Sequence, residues 1–191
     1  MDEILKRIFI NTRTHYKFLD KEVRDETLKE LHNLVKWSAT SFNSSPLRLR
    51  FLKSNQSKER IKPHLIDSNV ESTMKAPVCT IIAMDLNFWK DLYKNYLRED
   101  AKIYFENNEK KINETAFRNS TLQGGYFLKA ANALGLATGP MSGFFNKGVD
   151  EEFFKDTSIR SNFLCNIGYG DPTGTYDRAY RYEFDEVSEI L

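Results

Sequence analysis

The chain has 191 residues, 40% of them apolar, which is enough for the core of one domain over 1–191 and requires no second. Its 28 Lys and Arg stand against 27 Asp and Glu, a net charge of +1 that leaves no footprint for nucleic acid or an anionic membrane, so any phosphate binding must be local. The longest apolar run, 76–84, has the length of a strand and not of a membrane span, and residues 1–6 lack the apolar stretch of a secretory signal; the expectation is a cytoplasmic protein.

A helix is expected over about 2–11, followed by a polar connection over 12–18. A second helix should start near Arg24, with Asp25 as N-cap, because Leu28, Leu31, Leu34 and Val35 keep the 3.6-residue period. Residues 39–46 read as a loop of hydrogen-bonding side chains stopped by Pro46. Residues 47–52 alternate apolar and basic side chains and predict a strand with one buried face. A helix over 57–67, disturbed by Pro63, and a short one over 70–74 lead to Pro77 and a second strand over 78–84. Residues 87–113 gather Phe88, Trp89, Tyr93, Tyr96, Tyr104 and Phe105 among many charges and read as a surface insertion. The longest helix is expected over 114–134. Gly124 and Gly125 within it cost on the order of 1 kcal/mol each relative to alanine, and close packing against another helix is the expected compensation. A short helix over 150–155, a buried strand over 163–167 and an extended aromatic and basic tail over 173–191 complete the chain.

Cys79 and Cys165 lie inside apolar runs without a CxxC pattern and read as core thiols, and His15, His32 and His64 match no metal-ligand spacing. Gly168 and Gly170 follow a strand, but position 173 is Thr and Pro172 intrudes, so no helix N-terminus opens to hold a dinucleotide's pyrophosphate. Gly135 closes the long helix. Gly139, Pro140 and Gly143 then make a segment whose main-chain N–H groups can approach a flat ring such as a flavin, although such residues by themselves are more often ordinary turn punctuation. Arg13 and Thr14 near one end and Arg178 and Arg181 near the other offer guanidinium forks suited to a phosphate dianion, while each arginine alone also suits a solvated surface.

Read together, residues 13–15, 36–46, 114–120, 133–144, 162–172 and 178–187 resemble, in this order, the FMN-dependent nitroreductase family, and within it the branch of malonic semialdehyde reductases (3-hydroxypropionate dehydrogenases). The blocks 139–143 and 166–171 carry the branch resemblance. It implies an α+β fold, with a mainly antiparallel sheet surrounded by helices, and a homodimer built around the long helix with FMN between subunits. Carried over residue by residue, Arg13, Thr14, Arg178 and Arg181 meet the FMN phosphate and ribityl chain, and Asn69 meets the pyrimidine edge. Met141, Ser142 and Gly143 present N–H groups to the N5 and O4 side, and Thr40, Ser41 and Asn43 come from the other subunit. The implied activity is ping-pong hydride transfer from NADPH or NADH through flavin N5 to a small molecule such as malonic semialdehyde, with no catalytic side chain and no metal. A broad nitroreductase or quinone reductase and a non-catalytic flavin-binding protein are the alternatives. The sequence departs from the family where Ser142 replaces an acidic residue, and where His15 and Tyr16 stand near the place of a basic one.

Overall fold

The computed structural model describes residues 2–96 and 99–191; Leu97 and Arg98 of the expected insertion lie outside the described residues. Four strands, β1 (Leu47–Leu52), β2 (Val78–Asp85), β3 (Ala137–Met141) and β4 (Ile159–Gly168), form one antiparallel sheet in the order β1-β2-β4-β3. The helices in chain order are α1 (Glu3–Leu5, continued by a π turn over Lys6–Ile10), α2 (Asp25–Val35), α3 (Asn55–Ile61), α4 (Asp67–Lys75), α5 (Leu92–Asn95), α6 (Glu109–Ala133), α7 (Asn146–Phe154) and α8 (Phe184–Val187). This is the α+β arrangement expected.

The strand β2 is central, and its side chains are apolar on both faces because both are covered. Val78 and Ile82, with Cys165 and Ile167 of β4, pack on Leu28, Leu31 and Val35 of α2 and on Phe127 and Ala131 of α6. On the other face Cys79, Ile81, Ala83 and Leu164 pack on Ile61 of α3 and on Val149 and Phe154 of α7. The two cysteines therefore belong to cores on opposite faces of the sheet and form no disulfide. Burial pushes the Cys79 thiol up to about 12 and raises that of Cys165 as well, so both stay protonated and inert.

Besides shifted helix bounds, such as α3 ending at Ile61 where a helix over 57–67 is expected, the structure departs from expectation in four places, each with a local cause. Asp25 is the first helical residue and not the cap; Arg24 caps α2 without a side-chain bond, and the Asp25 carboxylate meets Lys53 Nζ at 2.5 Å. Gly124 packs against the sheet and not against another helix, since a Cβ there would lie 2.6 Å from the Phe163 ring, whereas nothing stands within 4 Å of one on Gly125. Residues 137–141, expected as loop, form β3. Pro140 is tolerated there because the strand pairs with β4 at one side of the sheet, where a missing N–H is cheapest. The insertion is only partly surface: Phe88, Leu92 and Phe105 are buried with Ala116 of α6 in a third apolar cluster, while Tyr93 and Tyr104 are exposed. Gly135 ends α6 as expected, with φ +80° and the bonds Leu136 N–H to Ala131 O and Gly135 N–H to Asn132 O that close a Schellman motif.

Candidate functional site

The connection over 12–18 is threaded between β3 and the start of the tail. Thr14 bridges Thr138 in parallel and His15 N–H donates to Thr138 O at 2.9 Å, so the segment extends the sheet beyond β3. On its other side Phe18 bridges Gly170, Leu19 N–H donates to Tyr169 O at 2.8 Å, and Tyr16 N–H donates to Gly174 O at 2.9 Å. The ring of Tyr16 stacks on Tyr176 at 4.6 Å. Hydrogen bonds from the Thr173 N–H and hydroxyl fix the turn at Asp171 and hold its carboxyl below the usual carboxylate range. The two ends of the chain are thereby laid side by side.

This threading brings Arg13, Thr14, Arg178 and Arg181 to one cavity of about 300 Å³. The cavity also holds Lys129 of α6, which sequence reasoning passed over; a lysine at a helical position carries no signal until the N-terminal segment and the tail fold over it. None of the four cations forms an ion pair among the described residues. Backbone carbonyls hold them instead: Arg13 Nη1 donates to Thr12 O at 3.0 Å, Lys129 Nζ to Ile8 O at 3.1 Å, Arg181 Nη1 to Tyr180 O at 2.9 Å, and Arg178 to Ile10 O.

Beyond the cavity, β3 runs past Pro140 and ends at Met141, and the chain continues through Ser142 and Gly143. Gly139 has a structural reason of its own, because a Cβ would lie 2.4 Å from the His15 carbonyl oxygen. Gly143 has another: a Cβ would lie 2.7 Å from Asn69 Nδ2, which donates to Gly143 O at 2.9 Å. Thr73 of α4 donates to Met141 Sδ at 3.7 Å and accepts from Asn166 Nδ2 at 3.2 Å, tying this turn to β4. The backbone N–H groups of Ser142 and Gly143 find no acceptor among the described residues, and Asn69 Oδ1 accepts no bond. Ser142 is exposed. Free donors and a free acceptor thus stand together at the end of β3 among the described residues.

Thr40, Ser41 and Asn43 do not line this cavity within one chain. Their loop is held by other contacts: Ser41 N–H donates to Asn119 Oδ1 at 2.8 Å, Asn43 Nδ2 to Asn95 O at 2.9 Å, and Ser45 N–H to Thr40 Oγ1 at 3.1 Å. Phe42, Asn43 and Ser45 have φ of 56°, 48° and 41°, a left-handed conformation that costs on the order of 1 kcal/mol or more for each such residue. The Phe42 ring is boxed by Tyr96, Tyr104 and Phe105 at 5.5–5.6 Å, which holds the strained backbone in place. Phe42 and Asn119 were also missed from sequence. A larger cavity of about 970 Å³ opens between α2 and β1, but no candidate residue lines it.

Known proteins place these features in a family. A sequence model of the nitroreductase family matches residues 10–169. A Burkholderia lata protein with the provisional name NADH dehydrogenase/NAD(P)H nitroreductase is 47% identical over 189 residues, covering 99% of this chain and 97% of its own. Among solved structures, a provisionally named nitroreductase from Bacillus subtilis superposes with a TM-score of 0.88 at 20% identity, over 98% of both chains. Another, from Exiguobacterium sibiricum in complex with FMN, superposes with a TM-score of 0.85 at 16% identity, over 100% of this chain and 98% of its own. Among the described residues, no helix is long and apolar enough to cross a membrane and no group of His, Cys, Asp and Glu is placed to hold a metal.

Proposed function

The chain belongs to the nitroreductase family, and on that premise we propose that it is an FMN-dependent NAD(P)H oxidoreductase acting as a cytoplasmic homodimer, each chain one FMN-binding domain over residues 1–191. The observation that carries this reading is the meeting of Arg13, Thr14, Arg178 and Arg181, from opposite ends of the sequence, in one cavity without a carboxylate partner among the described residues. Gathering like charges is unfavourable until an anion neutralises them, and a phosphate dianion accepts charge-assisted bonds from several guanidinium groups at once. The unpartnered N–H groups of Ser142 and Gly143, with Met141 before them, suit the N5 and O4 side of the ring, and Asn69 Oδ1 suits its pyrimidine edge. Thr40, Ser41 and Asn43 reach the ring held by a second copy.

Bound FMN supplies the hydride chemistry, so no side chain need act as nucleophile or metal ligand. The protein's part is to anchor the phosphate, offer preorganised donors where negative charge develops on the ring, and leave one face open to NAD(P)H and acceptor in turn. For the acceptor we favour malonic semialdehyde, reduced to 3-hydroxypropionate. The support is the branch resemblance of 139–143 and 166–171, together with a neutral Ser142 where an acid would repel an anionic aldehyde. A broad nitroreductase or quinone reductase is the second reading, favoured by the names of the relatives. Absorption spectroscopy of the purified protein, heat release and mass analysis test the cofactor. A colourless protein that takes up no added FMN overturns the whole reading. Steady-state NAD(P)H oxidation with each acceptor tests the substrate: kcat/KM is expected to be higher for malonic semialdehyde than for nitroaromatics, and the reverse order leaves only the general reductase.

A further inference from the structure

The phosphate cavity contains one more cation than the reading above uses. Lys129 lies on α6, a 25-residue helix packed against the sheet, whereas Arg13, Arg178 and Arg181 lie on loop and tail. Its Nζ is held by the carbonyl of Ile8, and the carbonyl of Ile10 takes both Arg13 Nη1, at 3.3 Å, and Arg178. Both carbonyls belong to the π turn over Lys6–Ile10 that ends the N-terminal helix, where the last C=O groups have no helical partner. The turn therefore acts as a holder for cations that have no anion of their own. Asp177 is the single carboxylate among the lining residues, and it pairs with none of them.

We propose that Lys129 is a fourth phosphate-binding cation and that the carbonyls of the π turn are its acceptor, and that of Arg13 and Arg178, until phosphate arrives. This rests on the assignment of the cavity to the FMN phosphate. A neutral carbonyl is the weaker acceptor; a hydrogen bond to a phosphate oxygen is charge-assisted and roughly twice as strong, so the exchange favours the ligand. Lys129 is also the cation whose backbone needs no rearrangement, since α6 already fixes it, and it supplies a point charge from the helix while the arginine forks come from loop and tail.

The experiment compares FMN with riboflavin, which has the same ring and no phosphate, in titrations of apoprotein followed by flavin fluorescence. The wild-type protein, Lys129→Gln and Lys129→Arg are measured side by side. Gln keeps helix propensity and a hydrogen-bond donor but removes the charge. Lys129→Gln is expected to weaken FMN by about tenfold to a hundredfold while leaving riboflavin unchanged, and Lys129→Arg is expected to retain most of the FMN affinity. An unchanged preference for FMN over riboflavin in Lys129→Gln overturns the proposal. Equal weakening of both flavins also overturns it, because a structural role would act on the ring and the phosphate alike. A wild-type protein with no preference for FMN over riboflavin sinks the phosphate assignment itself, separately from Lys129.

Discussion

Two regions of this molecule carry the candidate chemistry, and they are held in opposite ways. The cation cavity is assembled from loop, tail and one helix, and its charges rest on backbone carbonyls that any phosphate can outcompete. The loop over 40–45 is fixed: three residues at positive φ, an acceptor buried on α6, a carbonyl on α5 and a box of aromatic rings leave it one conformation. On the proposed reading, the region that would receive an anion is weakly bonded, and the region that would present groups to a second copy is preorganised. The difference can be tested by asking which substitutions cost folding and which cost binding alone.

The largest effect is expected at the framework beneath the cavity. Gly139→Ala drives a Cβ to within 2.4 Å of the His15 carbonyl oxygen, a backbone atom that cannot swing aside. The parallel pairing of Thr14 with Thr138 should be lost, at a cost of about 3 kcal/mol, the upper end for an overpacked site. At roughly 2–4 °C per kcal/mol for a chain of this size, Tm should fall by about 10 °C, and retained flavin should fall with it. A native Tm with full flavin would show that the 12–18 segment is free to move away from β3, and the cavity with it.

Arg13→Ala and Arg181→Ala should separate binding from folding. Each removes a charge-assisted phosphate contact worth roughly 1.5–3 kcal/mol, or about tenfold to a hundredfold in FMN affinity. Neither makes an ion pair among the described residues, so apoprotein stability should stay within about 0.5 kcal/mol of wild type. If thermal denaturation of either apo variant falls as far as for Gly139→Ala, the cavity is part of the framework and the contrast drawn above fails. Wild-type FMN affinity in both would place the phosphate elsewhere.

The fixed region should show the reverse pattern. Asp85 ends β2 and braces the base of the 40–45 loop. Its carboxylate accepts from Arg48 Nη2 at 2.7 Å, Ser158 Oγ at 2.6 Å and Asn87 N–H at 2.8 Å, and its own N–H donates to Pro46 O at 2.9 Å. Burial raises the Asp85 carboxyl, but these three donors outweigh it and hold it below the usual carboxylate range. A lowered value in the folded state means that the stabilisation is fully present above the unfolded aspartate pKa of about 3.9 and is lost as pH falls through the folded value. Asp85→Asn should cost about 1–3 kcal/mol at neutral pH. Its deficit relative to wild type should hold steady down to about pH 5 and shrink below about pH 4. A deficit that does not change with pH would mean that the charge contributes nothing and that only shape matters.

Much of this contrast was legible in the sequence, and the part that was not has a common cause. The alternation of Leu47, Leu49 and Phe51 with arginines and the apolar run from Val78 are local patterns, and both strands form where expected. The resemblance singled out the arginines proposed for phosphate, and the fold brings Arg13, Arg178 and Arg181 to one cavity. β3 was hidden because Gly139 and Pro140 are turn formers by local preference; it is a strand only because β4 and His15 N–H supply its partners. Lys129 and Asn119 look like an ordinary solvated lysine and a weak helix former until residues more than 70 positions away fold against them. Phe42 at φ 56° contradicts residue preference outright, and only the aromatic box from the insertion explains it.

The smallest effect is the one whose sign decides most. Gly125 faces open space in the single chain, next to the exposed apolar side chains of Leu122 and Tyr126 on the same stretch of α6. If that face meets only water, Gly125→Ala gains about 1 kcal/mol of helix propensity, and Tm rises slightly without dependence on protein concentration. If a second copy approaches at backbone distance, as the homodimer proposal requires, the added methyl opposes that contact. Tm should then fall, and more so on dilution, because a dimer's stability is inseparable from protomer concentration. The expected result is the second, with sedimentation showing monomer at concentrations where the wild type is dimeric. A concentration-independent gain would remove α6 from the interface and leave the 40–45 loop without a partner copy to serve.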